Sequence, residues 1–302
     1  DSRRVVFVVS QRGLGLPDRD YYFQTDSGSR AIRDAYLAHI AAILRLTGTP
    51  EQQAATQAAS VLALETALAE ASLNRLQLRD PKSRYHMMSV SQAEAITPGW
   101  PWRPYLSLLG VSVDSVNVAQ PEFFKRLASE LTSRPLDEWR AYLRFHVANE
   151  AAPALDARFV NQSFTLNSKI SGAREPLPRW RRCLASADRY LSDPLGREYV
   201  KTAYTPEAKA AMDAMIDNLM AVYRRRLETL PWMGEATRAE ALKKLSTFGR
   251  KIGYPDQWRD YSALDVQPAG WFENIRRAIA FDTRTALAKI GKPVTGKDWR
   301  MT

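Results

Sequence analysis

Apolar positions recur at helical spacing over most of the chain. After Thr49-Pro50-Glu51-Gln52, the run QQAATQAASVLALETALAEASL places Ala58, Val61, Leu62, Leu68 and Ala69 at helical spacing with no breaker. That pattern predicts a long amphipathic helix. Its start signal is a threonine N-cap, a proline at the first helical position and a glutamine three residues after the cap. The same signal recurs at Thr205-Pro206-Glu207, ahead of Met212, Met215, Ile216, Leu219, Val222 and Tyr223, and predicts a helix to about 230. Further helices are expected over 29–46, 122–132, 136–150, 155–170, 186–201, 237–252 and 270–290. Only 3–10, with its VVFVV run, reads as a strand. Short connections carry proline or glycine: TPGWPWRP at 97–104, GAREPLP at 172–178, GYPD at 253–256 and GKPVTG at 291–296. The expected fold is mainly α, a large multi-helix lobe with a short extended N-terminal segment. No recurring signature with a period of about 30–50 residues argues for a solenoid.

Composition narrows the function classes. With 302 residues, 45% of them hydrophobic and 10% aromatic, the chain can bury a substantial core, which argues against disorder. No apolar run approaches the roughly 18 residues of a membrane span, so none is expected. The first residues, Asp1-Ser2-Arg3-Arg4, open no signal-peptide pattern, and no targeting segment is expected here. A formal charge of +10 raises nucleic acid as a partner, yet the basic residues are scattered. The longest run, Arg224-Arg225-Arg226, falls late in a predicted helix, where cations suit the helix dipole and a solvated face. No nucleic-acid partner is therefore expected.

The chemistry-bearing residues form no catalytic set. The three histidines, His39, His86 and His146, are all more than 40 residues apart, so none can supply the paired imidazoles of an H-E-x-x-H zinc helix. His146 has Glu150 one helical turn on, which gives at most two ligands and reads as a helix-surface or partly buried pair. Cys183, the single cysteine, has arginine beside it but no local histidine; it reads as a buried structural thiol or as a bond to a segment not present here. The stretch GLGLPDRDYYF at 13–23 lacks the third glycine of a dinucleotide loop and the lysine of a P-loop. Pro17 biases Leu16 toward extended geometry, so the stretch reads as an ordered turn. Asp18 and Asp20 are expected to cap backbone N–H groups or to pair with an arginine, with Tyr21 and Tyr22 anchoring the loop. The expected catalytic, cofactor-binding and metal-ligating residues of this chain are none.

Several phrases nevertheless resemble one family, in the right order along nearly the whole chain. They are GLGLPDRDYYF at 13–23, PRWRRC at 178–183, PLGREYV at 194–200, LPWMGEATRAEALKKL at 230–245, KIGYPD at 251–256, WFENI at 271–275 and GKPVTGKDWRMT at 291–302. Together they look like the N-terminal half of neprilysin and endothelin-converting-enzyme type zinc metallopeptidases. The resemblance implies two mainly helical lobes around a closed cavity, with the zinc ligands, general-base glutamate and substrate-backbone asparagine in a C-terminal half. None of those residues matches a position here. The resemblance thus implies a helical cap over 1–265 and, over 266–302, a connection into a catalytic zinc domain outside this chain. The resemblance further implies that the cap restricts substrate size and is inactive alone. Implied partners are that catalytic half and peptide substrates; zinc is a cofactor of the parent only. Cys183 would tether the two halves, and the location would be periplasmic or secreted, with cytoplasmic as the alternative. The competing expectation is a zinc-free helical scaffold built on the same fold.

Overall fold

The computed structural model describes residues 3–268, 270–295 and 299. Asp1, Ser2, residue 269 and half of the closing phrase, at 296–298 and 300–302, lie outside the described residues. Twelve α-helices and three short strands form the regular structure among the described residues, so the fold is mainly α. The chain divides into two units.

The first unit runs up to Leu177 and takes in Gln267–Arg276 and Asp282–Pro293. It contains α1 (Ser27–Leu46), α2 (Glu51–Glu70), α3 (Val90–Ile96), α4 (Trp102–Leu108), α5 (Pro121–Ser133), α6 (Leu136–Ala151) and α7 (Ala157–Ser171). Asp26 caps α1 by accepting from the Ser29 N–H at 2.9 Å. From that start, Tyr36, His39, Ile40, Ile43 and Leu44 fall on one face and are buried. Ala54, Ala58, Val61, Leu64 and Leu68 form the matching face of α2, and residues 47–50 are a loop short enough to make the two helices antiparallel neighbours. Each isoleucine, leucine or valine fully buried there contributes about 1.5–3 kcal/mol. Helix α6 packs on both, α7 on α1 and α5 on α2.

The expected N-terminal strand is used in two pieces. Val5 exchanges backbone hydrogen bonds with Gly291 and Lys292, both at 2.9 Å, while β1 (Val8–Val9) joins a small sheet. The order is β1-β3-β2, with β1 parallel to β3 (Ser115–Val118) and β2 (Met87–Ser89) antiparallel to it. TPGWPWRP, expected to be a connection, starts α4 instead. Trp102 is buried and donates its indole N–H to the buried Thr97 hydroxyl at 2.8 Å. The expected threonine cap at Thr49 does not form: Pro50 takes the cap position without a side-chain hydrogen bond, and Thr49 is buried.

The second unit comprises Pro178–Val266 and Arg277–Phe281, with Val294. It contains α8 (Arg179–Tyr190), α9 (Ser192–Ala203), α10 (Pro206–Thr229) and α11 (Glu235–Ser246); α12 (Trp271–Leu287) is divided between the units. The single helix expected over 186–201 is two helices. Leu191, at φ −134° and ψ 39°, breaks the path, and Pro194 sits in the first turn of α9, where its missing N–H costs nothing. The cap expected at Thr205 is present, its hydroxyl accepting from the Ala208 N–H at 3.2 Å.

Candidate functional site

The opening stretch GLGLPDRDYYF is held at the centre of the first unit by a buried glutamate from α2. Glu65 is fully buried. Its Oε2 accepts from the Tyr22 hydroxyl at 2.5 Å and the Gly15 N–H at 3.3 Å, its Oε1 lies 2.8 Å from His146 Nε2, and the Tyr36 hydroxyl donates to both oxygens at 2.8 and 2.9 Å. Four donors therefore meet the roughly four lone-pair sites of a carboxylate, the condition for burying an acidic group without an unmet polar atom. Tyr22 is equally saturated, since its oxygen also accepts from the Gly15 and Leu16 N–H groups at 3.2 Å each. The Tyr142 hydroxyl, from α6, donates to the Gly13 carbonyl at 2.7 Å.

Two glycines make the approach possible. Gly13 has φ +94°, and a Cβ there would lie 2.3 Å from the Tyr142 hydroxyl; a Cβ on Gly15 would lie 1.8 Å from that of Tyr36. Burial, followed by the Glu65 charge, raises the pKa of Tyr22, Tyr36 and Tyr142 well above the ordinary tyrosine value. All three are hydroxyl donors at neutral pH.

The aspartates behave as the sequence predicted. Asp18 Oδ1 accepts from the Asp20 N–H at 2.8 Å, and its Oδ2 pairs with Arg75 at 2.7 Å. Asp20 lies 3.7 Å from Arg19, whose guanidinium donates to the Ser72 carbonyl. Tyr22 is buried and Tyr21 half-buried against the core. What the sequence did not disclose is the glutamate, because Glu65 sits among ordinary helix residues 43 positions from its tyrosine.

The histidines serve three separate structural tasks. His39 presents Nε2 to Asn149 Oδ1 at 2.8 Å and receives Gln162 Nε2 on Nδ1 at 3.2 Å, tying α1 to α6 and α7. One donor and one acceptor role suit the neutral ring, and burial pushes its pKa down. His86 Nδ1 lies 3.2 Å from the Ala119 carbonyl beside the sheet. His146 bonds Glu65 across the helix pair, a partner 81 residues away that the local His146–Glu150 spacing did not reveal.

Among the described residues no group of three or more His, Cys, Asp or Glu side chains could hold a metal ion. A groove of about 450 Å³ between α1, α2 and α5 is lined by Leu37, Leu62, Ala63, Glu70, Arg126 and Arg134 among others. Its guanidinium groups are engaged by Glu70, Glu130 and Glu138, and its lining includes no histidine or cysteine. Cys183, expected to be buried as a structural thiol, is exposed on α8; that helix buries none of its residues. Arg224, Arg225 and Arg226 are exposed in the last turns of α10, as a solvated helix end requires.

With a satisfied buried carboxylate organising the first unit, the chain's relationships decide its class. The family model described as peptidase family M13 matches residues 1–255. The chain belongs to peptidase family M13. Human endothelin-converting enzyme 1 is 26% identical over 317 residues, covering 100% of this chain and 41% of the relative. Drosophila melanogaster neprilysin-3 is 25% identical over 321 residues, again covering 100% and 41%. The crystal structure of the Mycobacterium tuberculosis zinc metalloprotease Zmp1 in complex with an inhibitor superposes with a TM-score of 0.90 at 32% identity, over 100% of this chain and 46% of that one. PepO from Lactobacillus rhamnosis, at 22% identity and a TM-score of 0.89, shares the fold. This M13 chain thus spans less than half the length of the relatives it matches.

Proposed function

We propose that this M13 chain is the N-terminal, non-catalytic part of a zinc metallopeptidase, a helical cap that closes over a cavity and limits entry to peptides. The cap comprises 1–265, and 266–302 leads into the catalytic zinc part of the longer polypeptide. By itself the chain is inactive. The observation that carries this reading is the M13 match over 1–255 in a sequence with no H-E-x-x-H. The bonding of all three histidines to structural partners supports it.

Peptide substrates, zinc and a periplasmic or secreted location belong to the proposal for the whole polypeptide. Among the described residues no helix is long and apolar enough to cross a membrane. Zinc is proposed to sit outside this chain. The contribution of the cap is confinement: a closed cavity excludes bulk water and strengthens electrostatic interactions at the reacting bond.

The test is size selectivity of the longer polypeptide. Short unstructured peptides should be cleaved, while the same sequence displayed on a folded protein should not. Equal cleavage of both would overturn the capping role.

A further inference from the structure

The second unit is short of core. Across Pro178–Val266 only Leu245 and Pro255 are buried, and α8, α9 and α10 bury no residue at all. A stretch of this length that folds as a closed body hides well over half of its unfolded surface. The apolar side chains that would do so are on the outside: Trp180 is 62% exposed, Met215 and Tyr223 53%, and Trp232 74%.

Helix α10 shows the arrangement most clearly. Lys209, Asp213 and Asp217, spaced four residues apart on one face, pair with groups of the same unit. Lys209 reaches Asp256 at 2.6 Å and the Tyr254 carbonyl at 3.1 Å, while Arg250 pairs with Asp213 and Asp217. The stripe Met212, Met215, Leu219, Val222 and Tyr223 lies on a different face and is exposed throughout. The less exposed side of α10 carries Ile216, Met220 and Leu227 beside Lys209 and Asp213, while a second apolar stripe faces solvent, where a surface helix ordinarily places polar residues. Tryptophan, tyrosine and methionine are the residue types enriched where interfaces bury most surface, whereas a solvated helix face has little use for five apolar side chains.

Resting on the proposal that the chain is part of a longer M13 polypeptide, we infer that the apolar stripe of α10 is the docking surface for the remainder of that polypeptide. The length relationship names the occupant: this chain spans 41% of human endothelin-converting enzyme 1 and 46% of Zmp1, so more than half of a family-length chain is available to cover it. The exposed arginines at 224–226, at the end of the stripe, call for carboxylates on the covering segment.

Hydroxyl-radical footprinting of the longer polypeptide tests this, with this chain alone run in parallel. Leu76, Tyr85 and Leu108, exposed in the first unit, serve as internal references. With each rate divided by the intrinsic reactivity of its side-chain type, Met212, Met215 and Tyr223 should be oxidised severalfold more slowly than those references in the longer polypeptide, and to a comparable extent in this chain alone. Unprotected methionines in the longer polypeptide would overturn the inference. So would protection in this chain alone that rises with its concentration, which assigns the stripe to a second copy. Peptide hydrolysis and zinc content of the same sample keep the two claims apart. An active, zinc-bearing polypeptide with an unprotected stripe leaves the function standing and removes the docking surface. A zinc-free, inactive polypeptide with a protected stripe does the reverse.

Discussion

Glu65 is the residue on which the first unit's organisation turns. Its carboxyl oxygens serve donors from the loop, α1 and α6, so its removal leaves several buried polar groups unmet at once. Glu65→Leu should destabilise the first unit by about 3–5 kcal/mol, because several buried donors lose their acceptor at once. Tyr22→Phe removes one donor and strands the Gly15 and Leu16 N–H groups, and should cost about 1–3 kcal/mol. Urea unfolding of the three proteins checks both, and a shift below about 0.5 kcal/mol for Glu65→Leu, the size expected at an ordinary surface position, would remove the central role assigned to it. Protonation supplies a second test. His39 has a folded pKa lowered by burial from the ordinary 6.5, so the unfolded chain binds its proton first as pH falls. Its contribution is complete above that value and declines as pH drops through the folded one. The three tyrosines act in the opposite sense: their folded pKa values are raised, so stability should fall as pH climbs past 10, the ordinary tyrosine value. The acid-side loss should be smaller in His39→Gln; an identical profile would show that His39 does not contribute.

At the level of elements, Pro194 separates two accounts of residues 186–201. In the interior of one continuous helix a proline costs about 3 kcal/mol, so replacing it would stabilise the protein by a similar amount. In the first turn of α9 the N–H is not needed, and Pro194→Ala should change stability by less than about 0.5 kcal/mol. A large gain in stability or helix content would restore the single helix. The sequence carried the long helices well because α1, α2, α5, α6 and α10 have sustained apolar periods and identifiable starts. It concealed β2 and β3, which are three and four residues long and owe their existence to pairing with each other and with β1. The turn character of GLGLPDRDYYF was readable from Pro17 and the failed glycine spacing. The glutamate that fixes it was not, since a long-range hydrogen bond leaves no periodic trace in the chain.

For the whole molecule, the two units differ in how they meet water. The first has a continuous apolar core running from Phe7 to Leu166, while the second presents its large apolar side chains at the surface. That contrast fits a cap whose second unit is completed by more of the same polypeptide. The proposal that the chemistry lies outside this chain rests on a sequence with no H-E-x-x-H and on the hydrogen bonds that engage His39, His86 and His146. The most direct measurement is zinc stoichiometry together with peptide hydrolysis, on this chain and on the longer M13 polypeptide side by side. One zinc and peptidase activity in the longer polypeptide, with neither in this chain, is the predicted result. Zinc-dependent hydrolysis by this chain alone, or a longer polypeptide that neither binds zinc nor cleaves peptides, would contradict it.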